Sequence, residues 1–146
     1  SDQGRKVYKK KLVSLVQRYR LGRKIIFVDH CKEMPLAYSL ADVVVSSSIE
    51  PEAFGRVSVE AQSMGKPIIA SDLGGSKETI LNKKSGFLYK HDDPRELAKN
   101  LNIVMELGQD ALNSMGNEGR KNIAKKFDVE AMCDSTLREY KKLLNI

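Results

Sequence analysis

The stretch SSSIEPEAFGRVSVEAQSMGKPIIASD, residues 46–72, reads as loop, helix, turn and strand. Serines, Pro51 and Glu50 make its first part a polar loop, and Gly55 opens a helix carrying Val57, Val59, Ala61 and Met64. Gly65 closes that helix, and Pro67 introduces a short apolar run, PIIAS, bounded by turn residues, as in a buried strand. Two carboxylates, Glu52 and Glu60, stand with seven residues between them and Phe54-Gly55 inside the interval. Nowhere else in the chain is polar chemistry tied so closely to a structural context.

The flanking sequence repeats the alternation of strand and helix. Upstream, DVVVS (42–46) and KIIFV (24–28) are continuous apolar runs, the pattern of strands covered on both faces. A short helix is expected over 34–40. Tyr8, Leu12, Leu15, Val16 and Tyr19 form one face of a first helix. Leu21-Gly22 is expected to end it, with the glycine as its left-handed residue. Downstream, 72–75 is a loop, Ser76 is a candidate N-cap for a short helix through Ile80, and 86–89 is a small strand after a turn over 82–85. Asp93-Pro94 opens a helix whose apolar face is Leu97, Leu101, Val104 and Met105. A helix over 110–126 and a last one after Asp128, bearing Met132, Leu137, Tyr140, Leu143 and Leu144, complete the chain. The expected fold class is α/β, a Rossmann-like parallel sheet with helices on both faces. Ligands of such sheets lie beyond the carboxyl ends of the strands. The loops 29–32, 46–54 and 71–75 are therefore expected to converge on one crevice.

With 146 residues and 41% apolar content, the chain has material for one packed domain. It has no apolar run near the ~20 residues of a membrane span. With a polar, basic start and no apolar run behind it, no signal peptide is expected, and the missing initiator Met suggests a piece of a longer protein. Two distant cysteines, Cys31 and Cys133, fit packed thiols in a reducing compartment, so the expected location is cytoplasmic. The net charge is +6, and residues 5–24 hold nine basic side chains and no acid. A solvated helix face is the common reason for such a run; an anionic membrane surface, peripheral on its inner face, is the partner hypothesis it raises. A basic nucleic-acid-binding module is a weaker reading, because Tyr8 and Tyr19 fall on the apolar face rather than among the cations. No nucleic acid is expected as a partner.

The central stretch has a chemistry of its own. Gly55 lets a ligand approach the backbone closely. The first N–H groups of the helix lack intrahelical acceptors and carry the positive end of its dipole, which suits phosphate. Arg56 adds a cation there. Glu60, one to two turns into the helix, and Glu52, in the loop, can each accept hydrogen bonds from sugar hydroxyls. The arrangement fits a molecule with hydroxyls at both ends and phosphates between. Two other readings fit less well. Glu50 beside Glu52 invites a paired-carboxylate hydrolase, but Glu50 reads as a solvent-exposed acid ahead of Pro51. His30 next to Cys31 invites a nucleophile, but neighbours on a strand-end loop point apart and no orienting acid is evident. His91 has no partner in the sequence.

The run EAFGRVSVEAQSMGKPIIASDLGGSKETI resembles the donor-site signature of retaining glycosyltransferases of the GT-B fold, family 4 (glycosyl transferases group 1). Glu52, Phe54-Gly55, Glu60-Ala61, Gly65, Pro67, Gly74-Gly75 and Glu78 appear in that family's order. Ser85-Gly86-Phe87-Leu88, Asp93-Pro94 with Leu97, and Phe127 follow suit, so the resemblance covers nearly the whole chain. It implies that residues 1–146 are the donor-binding, C-terminal half of a GT-B enzyme. It makes Glu52 the catalytic candidate, holding donor-sugar hydroxyls, and has Ala53, Phe54, Gly55, Arg56 and Val57 line the sugar and diphosphate. Glu60 takes the ribose, and Asp29, His30 and Cys31 meet the base, chiefly through backbone groups. Gly74-Gly75 resembles a loop that lets the next helix pack close to the sheet, without ligand contact. The implied activity is retaining transfer of a hexosyl group from a UDP- or GDP-linked sugar to a glycan or lipid-linked acceptor, in cell-surface polysaccharide or lipopolysaccharide synthesis. No protein nucleophile, cofactor or metal is implied, and no acidic cluster in the sequence suggests a metal site. A sugar-nucleotide epimerase of the same fold is the alternative enzyme. There are two departures from the family pattern. The upstream Gly-Arg segment, its Lys and the N-terminal acceptor domain are absent, with residues 1–4 read as the remnant of a loop at the truncated edge. Arg56 stands where an apolar residue is common.

Overall fold

The computed structural model describes residues 6–145; Arg5 of the basic run and the loop remnant at 1–4 lie outside the described residues. In chain order the elements are α1 (Lys6–Arg18), α2 (Met34–Ser39), β1 (Val44–Ser46), α3 (Arg56–Ser63), β2 (Ile68–Ser71), α4 (Ser76–Thr79), β3 (Gly86–Tyr89), α5 (Pro94–Glu106), α6 (Gln109–Lys126) and α7 (Val129–Leu144). They fall into two compact units, one up to Ala37 and one from Tyr38 onward.

The larger unit is built on β2. β1, β2 and β3 form a parallel sheet in that order, with Val44 opposite Ile68 and Ile68 opposite Gly86. Successive β2 side chains point to opposite faces. Ile68 and Ala70 join Tyr38, Ala61 and Ile80 on one face, with Val57 and Met64 packed against them. Ile69 joins Phe87, Tyr89 and Val104 on the other, with Leu97, Leu101, Leu112 and Met115. Ile68, Ile69 and Ala70 are 0% exposed. Burying each isoleucine contributes roughly 1.5–3 kcal/mol, which explains why PIIAS is the central strand. The expected α/β sheet with helices on both faces is what forms here.

Most helix ends follow their sequence signals. Asp93 caps α5, its carboxylate accepting from the N–H groups of Arg95 and Glu96, and Asp128 caps α7 through Ala131 N–H. Two expectations in this unit are corrected. Ser76 is the first residue of α4 and Gly75 its N-cap; the Ser76 hydroxyl instead lies 3.5 Å from that of Ser58. Met105 is 78% exposed, so the apolar face of α5 is narrower than its sequence suggested, and buried Asn100 reaches the Leu88 carbonyl in its place. On α7, Met132, Leu137, Tyr140, Leu143 and Leu144 are all exposed.

The smaller unit departs further. α1 buries no residue completely. Its end is not at Gly22: Arg20 takes the left-handed conformation (φ 55), Leu21 N–H donates to the Val16 carbonyl and Arg20 N–H to that of Gln17. These paired bonds form a Schellman closure, which offsets the modest cost of a left-handed non-glycine. KIIFV is not a strand. Lys24 and Ile25 donate to the Leu21 carbonyl and so belong to the turn, while Ile26 is 85% and Val28 66% exposed. A continuous apolar run marks a segment able to be buried on both faces, but pairing requires neighbours that the run itself does not encode. Among the described residues no helix is long and apolar enough to cross a membrane.

α3 and α6 meet through glycine. A Cβ added to Gly116 would lie 1.9 Å from the carbonyl oxygen of Gly65, the left-handed residue that ends α3. Gly116→Ala is therefore expected to cost about 1–3 kcal/mol in urea unfolding. Gly22→Ala, with nothing within 4 Å of the new methyl, should change stability by less than about 0.5 kcal/mol.

Candidate functional site

Two of the three expected loops come together at the carboxyl ends of β1 and β2. The loop after β1 is tied down by the Ser71 hydroxyl, which donates to the Ser48 carbonyl at 2.6 Å. The loop after β2 holds it further along, where Gly75 N–H donates to the Glu52 carbonyl at 2.9 Å. This contact needs glycine twice. Gly74 has φ +49, and a Cβ on it would lie 2.2 Å from the Glu52 oxygen; one on Gly75 would lie 2.5 Å from the Phe54 carbonyl. Gly74-Gly75 therefore seats the backbone of 52–54, a role beyond the helix-to-sheet packing that the sequence suggested.

Glu52 is exposed, and its Oε1 accepts from the Ser48 hydroxyl. Ala53 and Phe54 are exposed too, and the Phe54 ring meets Phe127 edge-on, with centroids 5.8 Å apart. Gly55 adopts a left-handed conformation (φ 72, ψ 56) as the N-cap of α3, and no side chain caps that end. An added Cβ would lie an ordinary 3.4 Å from the Ser76 hydroxyl. The requirement at Gly55 is therefore its dihedral rather than its space. Val57 packs its side chain into the core, which leaves only its backbone available at the helix start.

Glu60, on the next turns of α3, is half-buried and engaged at both oxygens. Arg56 donates to Oε1 at 3.1 Å, and the Tyr38 hydroxyl donates to Oε2 at 2.9 Å. The Arg56 side chain is 83% exposed, so this i,i+4 pair contributes only a few tenths of a kcal/mol. Tyr38 is 5% exposed. Burial first, then its hydrogen bond to Glu60 and the charge there, push its hydroxyl up to about 12, with Arg56 pulling the other way. Asp29, His30 and Cys31 belong to the smaller unit, where Asp29 pairs with Lys9 at 3.2 Å, His30 is exposed and Cys31 is half-buried.

The sequence reading did not find Tyr38 or Ser48. Tyr38 lies 22 residues before Glu60 on another helix, beyond any local spacing rule. Ser48 was visible only as one of three loop serines. The arrangement amounts to an open helix N-terminus with a cation beside it, flanked by two carboxylates that are each oriented by a hydroxyl.

Known proteins are similar to this chain in sequence and fold. The family described as Glycosyl transferases group 1 matches residues 3–122. The capsular polysaccharide biosynthesis glycosyltransferase CapM of Staphylococcus aureus is 25% identical over 122 residues, which cover 79% of this chain and 32% of CapM. A glycosyltransferase structure from Rickettsia africae ESF-5 superposes with a TM-score of 0.90 and 29% identity, over 99% of this chain and 38% of that one. Anabaena Alr3699/HepE in complex with UDP-glucose gives 0.86 and 27%, over 95% and 38%. The chain spans between 22% and 32% of the length of the curated relatives it matches.

Tyr38 makes stability sensitive to alkali. Its folded-state value of about 12 lies above the ordinary 10.0, so folding favours the protonated hydroxyl. That contribution is complete below pH 10 and is lost as pH rises through 12. Chemical denaturation at a series of pH values should show a steeper alkaline loss for the wild type than for Tyr38→Phe, whose remaining slope includes Tyr89, another hydroxyl raised by burial.

Proposed function

The chain belongs to the glycosyl transferases group 1 family, and from that premise we propose that it binds the nucleotide-sugar donor of a retaining hexosyltransferase. The observation that carries this reading is the glycine contact that holds Glu52 beside the open N-terminus of α3, with Glu60 further along the same helix. In the proposal the donor diphosphate lies against the first N–H groups of α3, at Gly55, Arg56 and Val57, where unpaired donors and the helix dipole favour an anion. Arg56, exposed and only weakly held, is free to turn toward that charge. Glu52, with Ala53 and Phe54, takes the hydroxyls of the sugar, and Glu60 those of the ribose. Recognition of the base by the backbone of Asp29, His30 and Cys31 rests on the resemblance alone.

Transfer on one face of the sugar needs no protein nucleophile when the departing phosphate takes the acceptor's proton. Positioning and cationic stabilisation of the diphosphate then lower the barrier. The donor is a substrate, and the reading calls on no resident cofactor. Similarity to HepE, captured with UDP-glucose, supports a UDP-linked hexose, and similarity to CapM supports a role in capsule-like, cell-surface polysaccharide synthesis on a glycan or lipid-linked acceptor. We assign donor binding to this chain and leave acceptor binding and complete transfer to the longer proteins of the family, of whose length the chain spans between 22% and 32%. The proposed setting is cytoplasmic.

An anionic membrane surface remains a proposed second partner. Lys6, Lys9 and Lys10 line an open hollow on α1 with Val13 and Ser14, and Tyr8 and Tyr19 are exposed on the same segment. Cations with exposed aromatics suit an interface carrying negative headgroups.

Calorimetric titration with UDP and GDP tests the donor reading. Binding is expected for one or both, weakened at least about tenfold in Glu60→Ala through loss of a charged hydrogen-bond acceptor. Equal affinity in Glu60→Ala would remove the ribose role. Sedimentation with anionic vesicles tests the second partner: binding at low salt that falls at physiological salt is expected, and none at low salt excludes it.

A further inference from the structure

The two oxygens of Glu60 have unlike partners. Oε1 meets Arg56, which stands in solvent on the same helix and moves with it. Oε2 meets Tyr38, whose ring belongs to the core cluster of Ala61, Ile68, Ala70 and Ile80 and comes from α2. Arg56 therefore offers an exchangeable contact, and Tyr38 a fixed one. A carboxylate otherwise turns broadly about its last torsion and presents either oxygen.

We propose that Tyr38 is a positioning residue of the donor site, its buried hydroxyl locking the Glu60 carboxylate so that Oε1, once released by Arg56, receives the ribose hydroxyls of a nucleoside diphosphate. The inference rests on the donor reading and adds to it a residue on a separate helix. Tyr38 can hold Glu60 only while its own proton is present, and burial, which pushes its hydroxyl up to about 12, keeps that proton in place at neutral pH. One hydroxyl occupies one lone pair of Oε2; the rest of Oε2 and all of Oε1 remain for two sugar hydroxyls, which donate to a carboxylate as a pair. Through this bond the orientation of Glu60 is referred to the core against β2. Arg56 has the opposite part, a latch that occupies the acceptor when no ligand is present and leaves when one arrives.

The test compares two ligands, UDP and 2′,3′-dideoxy-UDP, by calorimetry on the 146-residue chain. The wild type is expected to prefer UDP, because only UDP offers the hydroxyls. Tyr38→Phe keeps the ring in the core and removes only the hydroxyl. It should weaken UDP about tenfold and leave dideoxy-UDP unchanged, so that discrimination collapses. In a Glu60→Ala background the same substitution should do nothing further, as a double-mutant cycle requires for a residue acting through its partner. Equal weakening of both ligands would mean that Tyr38 only supports the fold, and unchanged discrimination would mean that its hydroxyl is idle; either overturns the proposal. If the wild type itself fails to bind UDP or to prefer it, the donor reading fails first and the inference with it, so the wild-type arm separates the two failures. Should Tyr38→Phe unfold, 4-fluorophenylalanine in place of Tyr38 fills the same space in the cluster without a hydrogen to donate and carries the same expectations.

Discussion

Burial of β2 on both faces is the constraint from which the larger unit follows. Ile68, Ile69 and Ala70 are fully enclosed, so every neighbour of that strand must present apolar surface or a paired backbone. β1 and β3 meet the second demand by flanking it in parallel, and two separate clusters meet the first. Parallel strands need crossover connections. The segment from β1 to β2 is such a crossover and contains α3. The chain must therefore leave β1 at its carboxyl end, pass over the sheet edge and enter α3 there. The candidate site lies at that passage, beyond the carboxyl end of β1.

Within the passage, a backbone contact does what a side chain usually does. The loop after β1 is polar and has no apolar anchor of its own until Phe54. It is held because Gly74 and Gly75 bring the next strand-end loop within hydrogen-bonding distance of the Glu52 backbone. A side chain on Gly74 would collide with the backbone of Glu52, and one on Gly75 with that of Phe54. The left-handed Gly55 then turns the chain into the helix, and the ring of Phe54 finds Phe127 just after α6. Three glycines and one aromatic contact thus set the relation between a carboxylate in a loop and a carboxylate on a helix. The electrostatic parts, the helix dipole and Arg56, act only after that geometry exists.

The residues differ in how much of this the sequence could reveal. PIIAS and KIIFV look alike as apolar runs, yet one is the central strand and the other is exposed and irregular. The difference lies in their neighbours: PIIAS sits between two runs that pair with it. The helix starts at Asp93-Pro94 and after Asp128 were readable because the signals at a helix start are local, and the structure adds that both aspartates cap N–H groups two or three residues ahead. The end of α1 was misplaced by two residues because paired hydrogen bonds put Arg20, not Gly22, in the left-handed position. The placement of Gly55 at the start of α3 and of Glu60 on that helix was readable, because both depend on local spacing. Tyr38 was not, since a hydroxyl and a carboxylate 22 residues apart on different helices share no pattern.

The sequence alone determined the family, the order of strands and helices in the larger unit, and the spacing of Glu52, Gly55 and Glu60 on which the proposed site rests. All of these depend on local chemistry: apolar runs, glycines, caps and short spacings. Tertiary structure alone decided which apolar runs became strands, which glycines were needed for close approach, and which hydroxyls orient the carboxylates. Those outcomes depend on contacts between segments far apart in the chain, whose closeness is a property of the packed molecule and not of any window of residues.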